Sequence, residues 1–308
     1  MQIVYKDKAL ILQPKTKGKF KILIPINLVM NMKQLRKIMM AFCLMVVATL
    51  SANAQTMENV KIQGDHGLLD AVIQKPKMKD GEKVRVAIIC HGFGSNKERP
   101  LLRTIADSLQ AKGFASIRFD FNGCGKSEGK FEDMTVPNEI EDAKRVIAYA
   151  IQQPWAGDIS LVGHSQGGVV ASMVAGELKG SIRSIALCAP AAVLRDDALR
   201  GQLQGGTYDA GNIPEIVTVP GRNIKVGRNY CVSAQILPIY ETALQYEGPV
   251  ILVHGTADRI VPYTYSERYK NGYKNAKLCL LPGVDHSFTV KGSVERAASL
   301  VSNFLVRN

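Results

Sequence analysis

The sequence has little cysteine, histidine or aromatic residue. Its 308 residues hold six Cys, five His and one Trp, and only 6% of it is aromatic. No two cysteines stand as C-x-x-C and no His/Cys cluster has ligand spacing, which argues against a metal site and against dithiol chemistry. With Cys43 in an N-terminal apolar run, five cysteines remain; that odd number predicts no disulfide framework. Cys90, Cys188 and Cys279 fall in apolar strand-like runs, where a thiol behaves as a small buried hydrophobe. Cys124 and Cys231 read as loop residues. Internal repeats and low-complexity linkers are also missing, and no apolar run is long enough to span a bilayer comfortably.

The formal charge of +12 is unevenly placed. Residues 1–54 carry nine Lys or Arg against Asp7 alone, so only +4 belongs to residues 55–308. That is too little to argue for nucleic acid or an anionic membrane as a partner. Within the N-terminal stretch, Lys33, Arg36 and Lys37 precede an apolar run from Ile38 to Leu50, and Ala52-Asn53-Ala54 follows with small residues. This is the pattern of a secretory signal over 32–54, cleaved near Ala54. Export from a bacterial cytoplasm, to the periplasm or beyond, is therefore expected, with no permanent membrane anchor. Residues 1–31 have no such logic and read as an upstream extension before a start at Met32.

The remaining chain is organised around Asp158 to Met173, an apolar strand, a Gly-flanked turn and the start of a helix. Gly163-His164-Ser165-Gln166-Gly167 is a G-x-S-x-G elbow, which holds a serine hydroxyl clear of the backbone at a helix N-terminus. Around it, strand-like runs alternate with helical periodicity. Strands are predicted at Val60 to Lys75 (a pair with a turn at Gly64–Gly67), Val84 to Cys90, Ala115 to Phe121, Ile182 to Ala189, Val250 to Gly255 and Ala276 to Leu281. Helical spacing appears at Leu101 to Leu109, Ile140 to Ala150 and Val294 to Val306. The alternation predicts an α/β fold with a mostly parallel central sheet and helices on both faces. The Gly- and Pro-containing interval at about 190–246 breaks the rhythm and reads as a lid inserted into one domain over 55–308.

A serine nucleophile needs a base, and the base needs an acid. His66 reads as a surface turn residue, His91 as part of an oxyanion loop, His164 as a shaper of the elbow and His254 as a packing residue. His286 lies in the loop after the last strand, at the sheet edge where ligands collect, and is the predicted base. Asp258 follows the Val250–Gly255 strand on the same edge; Asp285, adjacent to His286, is the rival acid. The chain order is Ser165, Asp258, His286, that of the elbow-type hydrolases. The N–H groups of Phe93, in His91-Gly92-Phe93-Gly94, and of Gln166 are the predicted oxyanion hole.

These motifs, together with Phe119-Asp120-Phe121-Asn122-Gly123-Cys124-Gly125-Lys126-Ser127 and His254-Gly255-Thr256-Ala257-Asp258-Arg259-Ile260-Val261-Pro262, resemble the bacterial cinnamoyl (feruloyl) esterase group of α/β-hydrolases. The likeness runs from about Val60 to the C-terminus and into the insertion through Asp197 to Gly201 and Leu237 to Tyr240. Cys124 departs from it, standing where relatives often have His. The resemblance implies a lid whose Asp197, Gln204 and Tyr230 contact the phenolic hydroxyl of a hydroxycinnamate ester. It implies no cofactor and a small-molecule ester as the binding partner. A less specific carboxylesterase or acylglycerol lipase, and after it a serine aminopeptidase, share the triad. A lipase calls for a broad apolar lid, whereas 195–230 is polar and Gly-rich; an aminopeptidase calls for acids near the substrate amine, which Asp196 and Asp197 supply. A non-catalytic binding protein on this fold would have lost a triad member.

Overall fold

The computed structural model describes residues 2–6, 9–13, 22–25 and 56–308 apart from 223. The signal sequence and cleavage site expected over 32–54 lie outside the described residues. The chain divides into two units, Met1–Asn53 and Ala54–Asn308. In the first, β1 (Gln2–Lys6), β2 (Ala9–Gln13) and β3 (Ile22–Pro25) form an antiparallel sheet.

In the second unit, β4 (Thr56–Gln63) and β5 (Leu68–Lys75) pair antiparallel. β6 (Val84–Cys90) leads to α1 (Pro100–Gln110), β7 (Ala115–Phe119) to α2 (Val136–Ile151), and β8 (Ala156–His164) to α3 (Gln166–Leu178). After β9 (Ser184–Cys188) the insertion begins with α4 (Val193–Leu199). Two hairpins follow, β10 (Gln202–Leu203) with β11 (Gly206–Thr207) and β12 (Ile216–Val219) with β13 (Ile224–Gly227). Next come α5 (Arg228–Ile236) and α6 (Ile239–Ala243), the latter packed on α3. The fold closes with β14 (Val250–Gly255), α7 (Thr264–Gly272), β15 (Ala276–Leu281) and α8 (Ser293–Arg307).

The eight-stranded sheet has the order β15-β14-β9-β8-β6-β7-β5-β4. All its neighbours are parallel except β5 against β7 and β4 against β5. Strand β6 shows why it is covered on both sides. Val86, Ile88 and Cys90 enter one core, with Ile140, Val146 and Ile147 of α2; Ala87 and Ile89 enter a second, with Ile105 of α1 and Val301 and Leu305 of α8. Alternation along a strand sends neighbouring side chains to opposite faces, so a wholly apolar run needs helices on both. Each buried branched side chain contributes roughly 1.5–3 kcal/mol. Helix α3 is buried from Gln166 to Gly176, as a helix without a polar face must be. Among the described residues no helix is long and apolar enough to cross a membrane.

Cys90, Cys124, Cys188 and Cys231 are buried free thiols and Cys279 is partly buried. Cys231 lies within α5, contrary to the expected loop, because one face of that short helix, with Tyr230 and Ala234, turns into the core.

Candidate active site

The elbow forms because strand β8 must turn sharply into α3 between two crowded glycines. A Cβ at Gly163 would sit 2.1 Å from the Gly167 carbonyl oxygen, and one at Gly167 would sit 2.3 Å from that of His91. Ser165 itself takes φ 57° and ψ −124°, a strained backbone for an L-residue that functional turns retain. It places the hydroxyl in a cleft of about 1100 Å³ beneath the insertion.

Ser165 Oγ lies 2.9 Å from His286 Nε2, and His286 Nδ1 lies 2.7 Å from Asp258 Oδ2. All three residues are buried. Asp258 Oδ1 accepts from the N–H groups of Ile260 (2.9 Å) and Val261 (2.8 Å). Burial acts to raise the Asp258 carboxyl, but the hydrogen bonds from His254, His286 and the Val261 N–H together outweigh it and hold the group well below the usual carboxylate range. The carboxylate therefore stays ionised beside the base. Asp285, the rival acid, faces away: its carboxylate accepts from the Thr289 N–H (2.7 Å) and hydroxyl (2.9 Å).

The other histidines are structural or supporting. His91 Nε2 accepts from the Phe121 N–H (3.1 Å), so its proton is on Nδ1, which donates to the Gly92 carbonyl (2.8 Å). Burial pushes its pKa down to about 4, and the neutral ring ties the oxyanion loop to the end of β7. His164 Nε2 donates to the His286 carbonyl (2.9 Å), and burial, then the adjacent His286, push its pKa down to about 3. His254 does more than pack. Its Nε2 faces Asp258 Oδ2 (3.1 Å) and the Val261 carbonyl (2.9 Å), while Nδ1 meets the Ser266 hydroxyl (2.7 Å). Two acceptors on Nε2 fix the proton there, so His254 donates to the same carboxylate oxygen as His286. Its position four residues before the acid, at the end of the same strand, is the sequence signal for this role.

The Phe93 and Gln166 N–H groups donate to no protein acceptor among the described residues, as oxyanion donors require. Behind them runs a buried chain of polar groups. The Tyr230 hydroxyl donates to Gln166 Oε1 (2.8 Å), and Gln166 Nε2 donates to Glu139 Oε2 (2.8 Å). Glu139 Oε1 has no partner, and burial first, with Asp142 adding to it, raises the Glu139 carboxyl to about 8. The folded state thus binds this proton more tightly than the unfolded chain does. Stability is full below the ordinary glutamate value of 4.5 and falls as pH rises toward about 8. Glu139→Gln imitates the protonated acid. It is expected to match wild type in thermal melts at pH 5 and to exceed it at pH 9, by on the order of a few kcal/mol; equal melts at both pH values would refute this. Glu139 sits on α2, and nothing in its local sequence points to the site.

Of the predicted lid residues, Asp197, Gln204 and Tyr230 all line the cleft with Ser165. Asp197 pairs with Arg200 (3.1 Å), Gln204 Oε1 accepts from Arg222 (3.4 Å), and Tyr230 is buried with its hydroxyl proton directed to Gln166. Tyr230 also packs on the Phe93 ring, 5.4 Å between centroids, which joins the lid to the oxyanion loop.

The chain is similar to several known proteins. Residues 81–205 match the family described as Serine aminopeptidase, S33 (Hydrolase_4). The structure of Est1E from Butyrivibrio proteoclasticus with ferulic acid bound superposes with a TM-score of 0.77 at 32% identity, covering 80% of this chain and 98% of Est1E. Among curated proteins, a 31.7 kDa Escherichia coli protein from the traX-finO intergenic region is 33% identical over 107 residues, 34% of this chain. Mouse mitochondrial palmitoyl-protein thioesterase ABHD10 is 26% identical over 190 residues, 58% of this chain. The chain spans 37% and 60% of the lengths of these two relatives. With a serine elbow, an acid after β14, a base after β15 and this identity to Est1E over nearly its whole length, the chain belongs to the α/β-hydrolase esterases.

Proposed function

We propose that the protein hydrolyses hydroxycinnamate esters through an acyl-enzyme on Ser165. His286 takes the serine proton as the hydroxyl attacks the ester carbonyl and returns it to the departing alcohol, and the Phe93 and Gln166 N–H groups hold the oxyanion. Water activated by the same His286 then releases the acid. The observation that carries the acyl group is the join of lid and oxyanion loop. Phe93 and Tyr230 pack against each other at a tilt of 56° and, with buried Leu203, line the cleft that holds Ser165, giving the apolar slot proposed for the acyl group. Asp197 is the polar group proposed to meet the phenolic hydroxyl; Gln204 is the second candidate. Tyr230 is proposed to shape the slot and hold Gln166 rather than to donate to substrate. The likeness to Est1E, seen with ferulic acid, supports this reading.

The test compares methyl ferulate with methyl cinnamate, which lacks the hydroxyl. Asp197→Asn is expected to lower kcat/KM for ferulate by about two- to twelvefold, the worth of one hydrogen bond, and to leave cinnamate unaffected. Tyr230→Phe is expected to lower both alike, through Gln166. Absence of ferulate turnover in the wild type would remove the hydroxycinnamate reading. An aminopeptidase reading is disfavoured by the cleft's charge, one carboxylate (Asp197) among four arginines (Arg99, Arg200, Arg222 and Arg259), a poor setting for a substrate ammonium.

We also propose that the enzyme acts outside the cytoplasm. Expressed from Met32 in a bacterium, the exported product is expected to begin at Gln55 by intact mass; a full-length cytoplasmic product would refute export.

A further inference from the structure

Gln166 faces two ways. Its backbone N–H is one of the two proposed oxyanion donors, while its side chain leads through Nε2 to Glu139 Oε2 (2.8 Å) and through Oε1 to the Tyr230 hydroxyl (2.8 Å). The other proposed donor, Phe93, packs its ring on that of Tyr230. Both donors therefore touch one buried chain, and the chain ends at Glu139, which is 1% exposed. Glu139 Oε2 is taken by Gln166, so the proton of the neutral acid sits on Oε1, which has no partner among the described residues. Glu139 also lines a separate cavity of about 230 Å³ with the exposed His66 and Lys130, and with Asp133 and Asp142. This cavity shares no lining residue with the cleft over Ser165, so the proton has a way out that a bound ester does not block.

The titratable groups packed around Glu139 differ in when they ionise. Burial pushes up the Cys90 thiol at the end of β6, the Cys124 thiol after β7 and the Tyr230 hydroxyl on α5, all three far beyond neutrality. Asp142, one turn along α2, is raised by burial only to about 6, whereas burial and the charge of Asp142 bring Glu139 to about 8. An anion one glutamine side chain behind the oxyanion opposes the charge that forms there during attack. The base, by contrast, works as a neutral ring, so rising pH does not disable it.

We propose that Glu139 is a positioning residue whose proton keeps negative charge away from the oxyanion hole, so that losing this proton slows ester hydrolysis. This rests on the ester-hydrolase reading of the site. The test takes any ester the enzyme turns over and follows kcat from neutral to alkaline pH, well below the melting temperature. Wild-type kcat is expected to fall about five- to thirtyfold, with a midpoint of about 8, and Glu139→Gln is expected to show no such fall. A trifluoromethyl ketone gives a second measurement. Ser165 Oγ adds to its carbonyl, the serine proton passes to His286, and the adduct carries an oxyanion in the same place. Its affinity for the wild type is expected to drop by the same factor over the same range, and to hold steady in the variant. A role for Glu139 in stability alone predicts instead that activity falls only in step with the circular dichroism signal; that outcome, a flat wild-type profile, or a fall that Glu139→Gln shares would overturn the inference and leave the esterase reading standing. Turnover of no ester at all would overturn the esterase reading, and the inference with it.

Discussion

Ser165→Ala and His286→Ala are each expected to reduce kcat by about 10⁴–10⁶-fold, and the double variant to lose little more, because nucleophile and base act as a unit. The geometry makes the expectation specific: Ser165 Oγ and His286 Nε2 are 2.9 Å apart, and His286 Nδ1 has one carboxylate within reach, at 2.7 Å. Asp258→Asn places an amide opposite Nδ1 and removes the charge that balances the protonated base, so its loss is expected to reach about 10³–10⁴-fold. Asp285→Asn is expected to be mild, since Asp285 only braces Thr289. Steady-state rates on one chromogenic ester, with circular dichroism to check folding, measure all five variants. A reversed ranking of the two aspartates would overturn the assignment of the acid.

What could be read in advance followed from how local each signal is. The strands Val250–Gly255 and Ala276–Leu281 end where their apolar runs end, because the sheet buries β14 on both faces. The elbow is legible because its two glycines answer to contacts within a few residues or with the adjacent strand end. Helix α7, by contrast, escaped the periodicity: Thr264 to Gly272 is largely polar and buries only Ser266 and Tyr269. The insertion was visible as a break in rhythm, but its hairpins were not. Strands of two and four residues are too short for alternation to register. The same limit hid the Glu139–Gln166–Tyr230 chain, whose members are brought together only by the packing of α2, α3 and α5. Triad residues announce themselves by their type and by the strand each follows; supporting residues do so only in three dimensions.

His254 is such a support, and its removal is expected to change how the enzyme responds to pH as well as how fast it works. Asp258 Oδ2 receives two ring N–H groups, from His286 at 2.7 Å and His254 at 3.1 Å. Each donor draws on the same negative charge. With His254 present, less of that charge is available to stabilise the proton His286 acquires during attack; it also fixes the carboxylate in the plane the base needs. His254→Phe keeps a buried ring but cannot donate. It leaves the Val261 carbonyl without its side-chain donor and Ser266 without its ring partner, and Asp258 Oδ2 loses one of the two contacts that hold it in the plane of the base, while Oδ1 stays on the Ile260 and Val261 N–H groups. The expected loss in kcat is about ten- to hundredfold, the worth of a hydrogen bond to a charged group. The sign of the pH effect follows from the charge. A carboxylate relieved of one donor favours the protonated form of the base, so the acid limb of kcat/KM moves to higher pH and the variant loses most activity on the acidic side. His254→Gln, which can return an N–H toward Oδ2, is expected to recover part of the rate and to move the limb back. A purely structural role for His254 predicts something else: activity lowered by one factor at every pH, in step with lost stability, and no recovery with glutamine.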